Sequence, residues 1–220
     1  MIYLLSAVIV VLLFILGALL RKIYELRLDK PSSDAGGAEI SLKTTWGKFD
    51  ELLTSLLTIH EIGIVNAGTI KKEEFYQTVV DNACELINSP RGSLMIHDAQ
   101  ADELKIVASK NISKEVIENT HVKPGLGIAG RAFQTGETIF VTDPQQNTQY
   151  KDYIGLEEQK DPFIAIPLKL KDKPFGVLNL HLSRENESFT DYDLKFLTLL
   201  AGETAITLEN IKLYESLENF

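Results

Sequence analysis

The hydrophobic periodicity of the chain changes from helical to alternating near residue 92, and this change restricts the possible folds more than any other feature. Helical patterns lie on either side, at 45–66, 71–88 and 190–220. Between them, the strand-like segments are GSLMIHD (92–98), ELKIVAS (103–109), TIFVT (138–142), FIAIPLKL (163–170) and FGVLNLHL (175–182). The connections HDAQADE and KDKP resemble hairpin turns, which predict antiparallel neighbours.

Alternation within these strands predicts a sheet with two chemically different faces. One face collects branched aliphatic side chains that suit packing against helices, namely Leu94, Ile96, Ile164, Ile166, Leu168, Leu178, Leu180 and Leu182. The other face mixes small, polar and aromatic side chains, namely Ser93, Met95, His97, Phe163, Ala165, Pro167, Val177, Asn179 and His181. Such a mixture is typical of a ligand cavity. Polar side chains that are satisfied or solvated under a loop would give the same pattern.

The segment GLGIAGRAF contains Gly125, Gly127 and Gly130 in the spacing G-x-G-x-x-G, with Asp143 downstream, as in a dinucleotide-binding turn. Such a turn needs a buried parallel strand before it and a long crossover helix after it. Here the preceding residues, ENTHVKP, are polar and are not expected to form a buried strand. The helix that follows is interrupted at Gly136. The context therefore argues against a dehydrogenase.

The N-terminal run IYLLSAVIVVLLFILGALL, residues 2–20, carries no charged side chain. As a helix it would span about 28 Å, close to the roughly 30 Å hydrocarbon core of a bilayer. A cleaved signal peptide is the alternative, but it would have a basic start, a shorter apolar run and a small-x-small cleavage site. We therefore expect an uncleaved anchor from Ile2 to Leu20, followed by the basic pair Arg21 and Lys22.

The charges around this run predict the orientation of the chain. Basic residues follow the run and none precedes it, so the positive-inside rule predicts a single-pass protein of the cell membrane with its N-terminus outside. We expect a transmembrane helix over 1–21, a basic collar and flexible linker over 22–43, and a cytoplasmic folded domain over 44–220. The linker prediction rests on the small, polar and glycine-containing stretch PSSDAGGAE.

Composition removes several classes of function. The net charge of −9 argues against nucleic-acid binding, which needs clustered basic residues. The single cysteine, Cys84, cannot form a disulfide within the chain, and we expect it to be packed and inert. No catalytic or metal-binding motif is present, and we expect no cofactor. The histidines show no metal-ligand spacing and are expected to be structural or exposed; they are His60, His97, His121 and His181.

Three stretches, KPGLGIAGRAFQTGETIFVTDP, FIAIPLKLKDKPFGVLNLHL and SFTDYDLKFLTLLAGETAITLENIKLYESL, resemble GAF domains, the small-molecule sensor modules of signalling proteins. The resemblance covers roughly residues 50–217. It implies an α+β fold with an antiparallel sheet of about six strands and helices on both faces. The first and last helices would lie on one face, and a pocket closed by helices and loops would lie on the other.

The resemblance also implies a location for the ligand. The candidate pocket residues are Ser93, Met95, Phe133, Tyr150, Tyr153, Phe163, Ala165, Asn179 and His181. Tyr150 and Tyr153 belong to the polar stretch 143–161, which the family uses to cover its ligand. Arg131 is expected either to contact an anionic ligand or to be an ordinary surface residue.

The known ligand classes of the family fit poorly. Cyclic-nucleotide members carry an Asn-Lys pair and Phe-x-x-x-Asp-Glu; Phe189 and Asp193 match, but Leu194 replaces the glutamate and the Asn-Lys pair is missing. Attachment of a bilin needs a cysteine in the pocket, whereas Cys84 lies on a predicted helix. Members that reduce sulfoxides use several cysteines, whereas this chain has one.

The helices 45–66 and 190–220 carry more apolar stripes than a single sheet can cover; Leu199, Ile206 and Leu213, for example, are spaced by seven. A second stripe favours a partner helix, so a homodimer is expected. The leading hypothesis is a membrane-tethered, non-catalytic sensor that signals through helix packing to an unidentified downstream protein. The alternatives are a ligand-free scaffold that recruits partners and, less favoured, an enzyme. A pocket filled by Phe133, Met95 or Tyr153 would favour the scaffold.

Overall fold

The computed structural model describes residues 35–65, 71–142, 162–182 and 189–218. In chain order the elements are α1 (Ala35–Val65), α2 (Lys72–Leu86), β1 (Arg91–Asp98), β2 (Glu103–Lys110), α3 (Lys114–Asn119), β3 (His121–Val122), α4 (Gly127–Thr135), β4 (Ile139–Val141), β5 (Phe163–Leu170), β6 (Lys173–His181) and α5 (Asp191–Glu218). The chain divides into two compact units, Met1–Leu57 and Thr58–Phe220.

The described part of the first unit is a single stretch of helix. Helix α1 begins at Ala35. Residues 35–43 of the segment predicted to be a flexible linker, 22–43, are therefore helical. The stretch AEISLKTTW, from residue 38 onwards, contains good helix formers such as alanine, leucine, lysine and glutamate, which outweigh the glycine pair before it. In this unit the rings of Trp46 and Phe49 pack edge to face, with centroids 5.9 Å apart.

The predicted membrane anchor lies outside the described residues. Residues 1–21, with Ile2, Leu20 and Arg21, precede the first described position, as does Lys22 of the basic collar. Among the helices of the described ranges, none has both the length and the apolar character that crossing a bilayer requires.

The second unit is built on a six-stranded sheet with the order β3-β2-β1-β6-β5-β4, in which every neighbouring pair is antiparallel. The predicted α+β architecture is confirmed. The two hairpin predictions are also confirmed, because residues 99–102 join β1 to β2 and residues 171–172 join β5 to β6. The central pair, β1 and β6, joins segments far apart in the sequence.

Helices α2 and α5 pack against the aliphatic face of the sheet. An ideal Cβ on Gly92 would lie only 2.7 Å from Sγ of Cys84, so α2 crosses β1 at very short range. Helix α5 packs against β5, and its Lys212 ammonium lies 5.3 Å from the ring centroid of Phe175 on β6. Helix α4 packs against β5 and β6. Its Ala129 and Ala132 join the apolar cluster of the mixed face, so helices cover both faces as predicted.

The N-terminus of α5 is closed by an exchange of hydrogen bonds between Thr190 and Asp193. The Asp193 carboxylate accepts hydrogen bonds from the backbone N–H of Thr190 at 2.7 Å and from its hydroxyl at 2.9 Å. The Thr190 hydroxyl in turn accepts one from the backbone N–H of Asp193 at 3.4 Å. This reciprocal capping begins the helix at a defined residue.

Further along α5, two contacts hold the end of α1 that belongs to the second unit. The Thr207 hydroxyl donates to the carbonyl oxygen of Ile59 at 3.3 Å, and His60 Nδ1 lies 2.8 Å from a carboxylate oxygen of Glu203. Two polar contacts within a helix pair fix its register as well as its distance.

One strand was not expected. The segment ENTHVKP includes β3, in which His121 pairs with Lys105 and Val122 pairs with Leu104. Val122 is buried, although its neighbours in sequence are polar. A two-residue edge strand has no recognisable period of its own, since its partner strand supplies the hydrogen bonds. The strand is antiparallel and at the sheet edge, so a dinucleotide-binding βαβ unit is still not formed.

Candidate functional site

Four neighbouring strands bring side chains of mixed polarity into two cross-strand rows on the face that α4 covers. From β1 across β6 and β5 to β4, the first row is Arg91, His181, Phe163 and Val141, and the second row is Ser93, Asn179, Ala165 and Ile139. All of these except Arg91 and Ile139 are buried. We call them row 1 and row 2.

The centre of row 2 is a buried amide next to a buried hydroxyl. Asn179 is 3% exposed and Ser93 is 6% exposed. The amide nitrogen of Asn179 donates to the Ser93 hydroxyl at 3.3 Å. Within the described ranges, the amide oxygen of Asn179 is buried and accepts no hydrogen bond. Such an acceptor is costly, since few buried polar groups in folded proteins lack a partner.

Row 1 adds an aromatic contact and a rigid rim. The ring of His181 packs edge to face on Phe163, with centroids 4.8 Å apart. The Ser89 hydroxyl lies within hydrogen-bonding distance of the carbonyl oxygens of His181 (2.6 Å) and Arg91 (2.7 Å), and so ties the ends of β1 and β6 together. Ser89 therefore fixes the backbone of row 1 at the end of the sheet where β5 begins.

Helix α4 covers an apolar cluster on the same face, and this cluster includes Phe163 of row 1 and Ala165 of row 2. The buried members of this apolar cluster are Met95, Leu104, Val122, Ala129, Ala132, Phe163, Ala165 and Val177. Phe133 packs on it while partly buried, and its ring lies 4.7 Å from that of His97. The face thus combines the polar side chains of Ser93, Asn179 and His181 with an apolar cluster under α4. A combination of this kind suits a ligand with a polar edge and an apolar body.

The chemistry of this arrangement is that of recognition by hydrogen bonding. The Ser93 hydroxyl contacts an amide, which cannot take its proton as a histidine or a carboxylate would in a nucleophilic enzyme. Within the described ranges, no group of three or more histidine, cysteine or acidic side chains is placed to hold a metal ion.

The structure brings most of the predicted pocket residues together. Ser93, Phe163, Ala165, Asn179 and His181 belong to rows 1 and 2. Met95 and Phe133 belong to the apolar cluster and its edge, and Phe163 and Ala165 belong to the cluster as well as to the rows. Tyr150 and Tyr153, with the predicted covering segment 143–161, lie outside the described residues, and their role stays a prediction.

Two arginines lie on elements that form the site, Arg131 on α4 and Arg91 on β1. Arg131 is half-buried on α4, and its proposed contact with an anion stays a prediction. Arg91 was missed, although alternation through Ser93 and Met95 places it on the same face of β1. Its position at the first residue of the strand hid this pattern.

The glycine motif has a structural role. Gly125 and Gly127 have φ angles of +83° and +58°, which favour glycine. An ideal Cβ on Gly130 would overlap the carbonyl oxygen of Lys123 and lie 3.2 Å from a methyl carbon of Val122. The motif therefore forms a tight turn that packs α4 on the edge of the sheet.

Cys84 is buried, as predicted. Burial raises the pKa of its thiol to about 11, so that little thiolate forms near neutral pH. Three histidines lie in ion-pair geometry with carboxylates: His60 with Glu203, His97 with Asp102, and His121 with Glu103.

The chain is similar in sequence to a regulatory protein and to a histidine kinase. The Nif-specific regulatory protein of Herbaspirillum seropedicae is 24% identical over 166 residues, which are 73% of this chain and 30% of that protein. The peroxide stress-activated histidine kinase mak2 of Schizosaccharomyces pombe is 22% identical over 174 residues, which are 75% of this chain and 7% of that protein. The chain thus spans less than a third of the length of either relative.

Solved structures share the fold. The GAF domain of a phosphoenolpyruvate-protein phosphotransferase from Coxiella burnetii has a TM-score of 0.63 at 22% identity, and the alignment covers 76% of this chain and 97% of that one. The corresponding domain from Acinetobacter has the same score at 16% identity, with 77% and 95% covered. At these identities the likeness shows the fold alone. The sequence profile described as "GAF domain" matches residues 71–209, which is more than half of the chain, and the chain therefore belongs to the GAF domain family.

Proposed function

We propose that this chain is a non-catalytic sensor whose GAF domain binds a small, uncharged molecule at rows 1 and 2 and reports its presence through helix packing in a homodimer. The observation that carries the proposal is the buried amide oxygen of Asn179, which has no hydrogen-bond donor among the described residues. An N–H or O–H group of a ligand would satisfy this acceptor, and water would do so less selectively.

The surroundings of Asn179 limit the ligand further. Phe163 and Ala165 flank the amide across the strands, and both are apolar and buried. A charged ligand group at this depth would lose its hydration, which is costly unless an opposite charge compensates it. The chemistry at row 2 therefore favours an uncharged, partly apolar molecule with a hydrogen-bond donor, such as a heterocycle or an amide.

The sheet offers a direct path from the ligand to a helix. Ala165 and Asn179 lie on the ligand face of β5 and β6, while Ile164 and Leu180 lie on the opposite face of the same strands. Helix α5 packs against β5. A displacement of β5 on ligand binding would therefore reach α5 through one layer of side chains. The similarity to the Nif-specific regulatory proteins and to a histidine kinase supports such a regulatory role.

The proposal is tested by thermal unfolding of the full 220-residue chain in mild detergent, with a panel of uncharged heterocycles and amides and a matched panel of anions. We expect an uncharged compound to raise the melting temperature; at a hundred times its Kd the gain is about 2.7 kcal/mol. Native mass spectrometry of the chain from its own cells would identify the bound molecule.

The control variant is Arg131→Ala, which should leave binding of the uncharged compound unchanged. A preference for anions that this variant abolishes would show that the ligand is charged and that Arg131 binds it. A chain that responds to no compound and carries none from its cells would contradict the sensor.

The proposal places this sensor at a membrane. Its support is the uncharged apolar run from Ile2 to Leu20 with Arg21 and Lys22 after it, which also predicts that the GAF domain is cytoplasmic. We expect the chain to stay in the membrane pellet after an alkaline carbonate wash, because a spanning helix is not held by charge. Release into the supernatant would contradict the anchor. Protease added to intact cells should leave the GAF domain uncut.

A ligand-free scaffold that recruits partners is the second candidate. It is favoured by the packing of Met95 and Phe133 into the apolar cluster, because these side chains fill part of the face that a ligand would use. The two functions differ at Asn179, since a scaffold gives no reason for a buried acceptor without a donor.

A further inference from the structure

Helix α5 presents an apolar stripe to solvent along most of its length. Tyr192, Leu199, Ile206 and Leu213 recur every seven residues, and they are 59%, 55%, 52% and 53% exposed. Because 3.6 residues form one turn, a spacing of seven keeps these side chains on one side of the helix over about 32 Å. The side of α5 that faces the sheet is occupied by other residues, such as Leu197, Leu208 and Ile211.

A glycine lies at the middle of this stripe. Gly202 falls between Leu199 and Ile206, and an ideal Cβ built on it meets no atom within 4 Å. Glycine in a helix interior costs roughly 0.5–1 kcal/mol relative to alanine, so an open position gives no steric reason for it within one copy. A second helix that crosses here would come closer to a glycine than to any other residue.

The charges beside the stripe are arranged around the same residue. Lys195 lies seven residues before Gly202 and Glu209 lies seven residues after it. Lys195 belongs to the exposed side, because its ammonium group lies 5.4 Å from the ring centroid of Tyr192. Glu209 is also exposed. If a second α5 ran in the opposite direction and crossed at Gly202, its Glu209 would therefore lie opposite Lys195 of the first.

We propose that two copies of this chain pair through α5 in an antiparallel crossing centred on Gly202. In this arrangement Tyr192 of one copy packs on the Leu213 position of the other, and Leu199 packs on Ile206. The Lys195 ammonium then lies opposite the Glu209 carboxylate. A parallel pair would instead place each of these charges opposite its own like in the second copy.

This inference rests on the proposed function only for the statement that the chain forms a homodimer; it adds the surface, the direction and the crossing point. The occupant is a second copy, because the stripe and its charges are complementary to themselves under a two-fold rotation, as an isologous interface requires.

The direction of the pair is tested by cysteine crosslinking in the full chain. Gly202→Cys should crosslink to its own copy, since the two positions meet at the crossing. Leu213→Cys alone should not, because its two copies would lie about 33 Å apart. A mixture of Leu213→Cys and Tyr192→Cys chains should crosslink. The unaltered chain, with its buried Cys84, is the control for background reaction.

Charge reversal gives a second measurement of the same arrangement. Lys195→Glu and Glu209→Lys should each weaken dimerisation in sedimentation experiments, and the two changes in one chain should restore it, because the facing pairs become opposite in charge again. In a parallel pair the double change would leave like charges facing each other, and it would give no such rescue. The rescue is measured as dimerisation of the double variant compared with that of each single variant.

The outcomes separate this inference from the proposed function. Self-crosslinking of Leu213→Cys as efficient as that of Gly202→Cys would show a parallel pair, and would overturn the inference while leaving the homodimer intact. A monomer at every concentration, without crosslinks, would overturn both the inference and the homodimer. Ligand binding at rows 1 and 2 is measured independently of either result.

Discussion

Replacing Gly130 by alanine is expected to lower the free energy of unfolding by about 3 kcal/mol. The added Cβ would overlap the carbonyl oxygen of Lys123 and lie 3.3 Å from the backbone nitrogen of Gly125. Backbone atoms cannot rotate away as a side chain can, so α4 or the turn before it must move. Any such movement stretches the 2.8 Å hydrogen bond from the N–H of Gly125 to the carbonyl oxygen of Gly130.

The matched control is Gly47→Ala, the same chemical change inside a helix. An ideal Cβ on Gly47 meets no atom within 4 Å, so we expect this variant to be more stable than the parent by about 0.5–1 kcal/mol. Both variants are compared with the parent by denaturant unfolding of the full chain in mild detergent, followed by circular dichroism. Equal effects of the two changes would mean that α4 does not pack against the turn as described.

The same motif shows where sequence reasoning succeeds and where it stops. The residues on either side of Gly125 to Gly130 were enough to reject a dinucleotide-binding turn, since that decision needs only local context. The reason for Gly130 was not accessible in the same way, because it is the carbonyl oxygen of Lys123 on a neighbouring segment. Close approach of two backbones leaves no periodic trace in either one.

Strand faces were predictable because burial imposes a period of two. Ile164, Ile166 and Leu168 are buried on the face of β5 opposite Phe163 and Ala165, as alternation requires. Strand order was not accessible from periodicity. The contact between Ser93 and Asn179 depends on β1 lying beside β6, a pairing across 86 residues that only the folded sheet specifies.

The strand residues of the predicted pocket lie on one face of the sheet, and their role in a pocket stays a prediction. Met95 and Ser93 are two residues apart on β1, yet Met95 joins the apolar cluster while Ser93 joins row 2. Membership of the cluster depends on where α4 lies on the sheet, because its Ala129 and Ala132 pack in the same cluster as Met95. The docking position of a nine-residue helix depends on tertiary contacts that local sequence does not report.

The double variant Ser93→Ala with Asn179→Leu is expected to raise the free energy of unfolding by about 1–2 kcal/mol and to abolish ligand binding. A buried acceptor without a donor costs roughly 1–3 kcal/mol. Replacing both polar groups removes that cost without leaving a new unpaired atom. The neighbours Phe163 and Ala165 are apolar, so a leucine finds a compatible surface.

The single variant Ser93→Ala is the matched control. It removes the oxygen that accepts the hydrogen bond from Asn179 and leaves the amide N–H without that partner, so we expect a loss of about 1 kcal/mol. Stability is measured by denaturant unfolding of ligand-free chain in mild detergent, and binding by the thermal shift with the uncharged compound identified for the parent chain.

A double variant that gains stability but loses ligand binding would indicate that the polar pair is retained for the ligand and not for the fold. If the double variant instead loses more than 1 kcal/mol, the Asn179 oxygen must accept a hydrogen bond that stabilises the fold itself. Row 2 would then be a structural pair, and the scaffold would explain the chain better than the sensor. A variant that is more stable yet still binds the compound would place the ligand elsewhere on the domain.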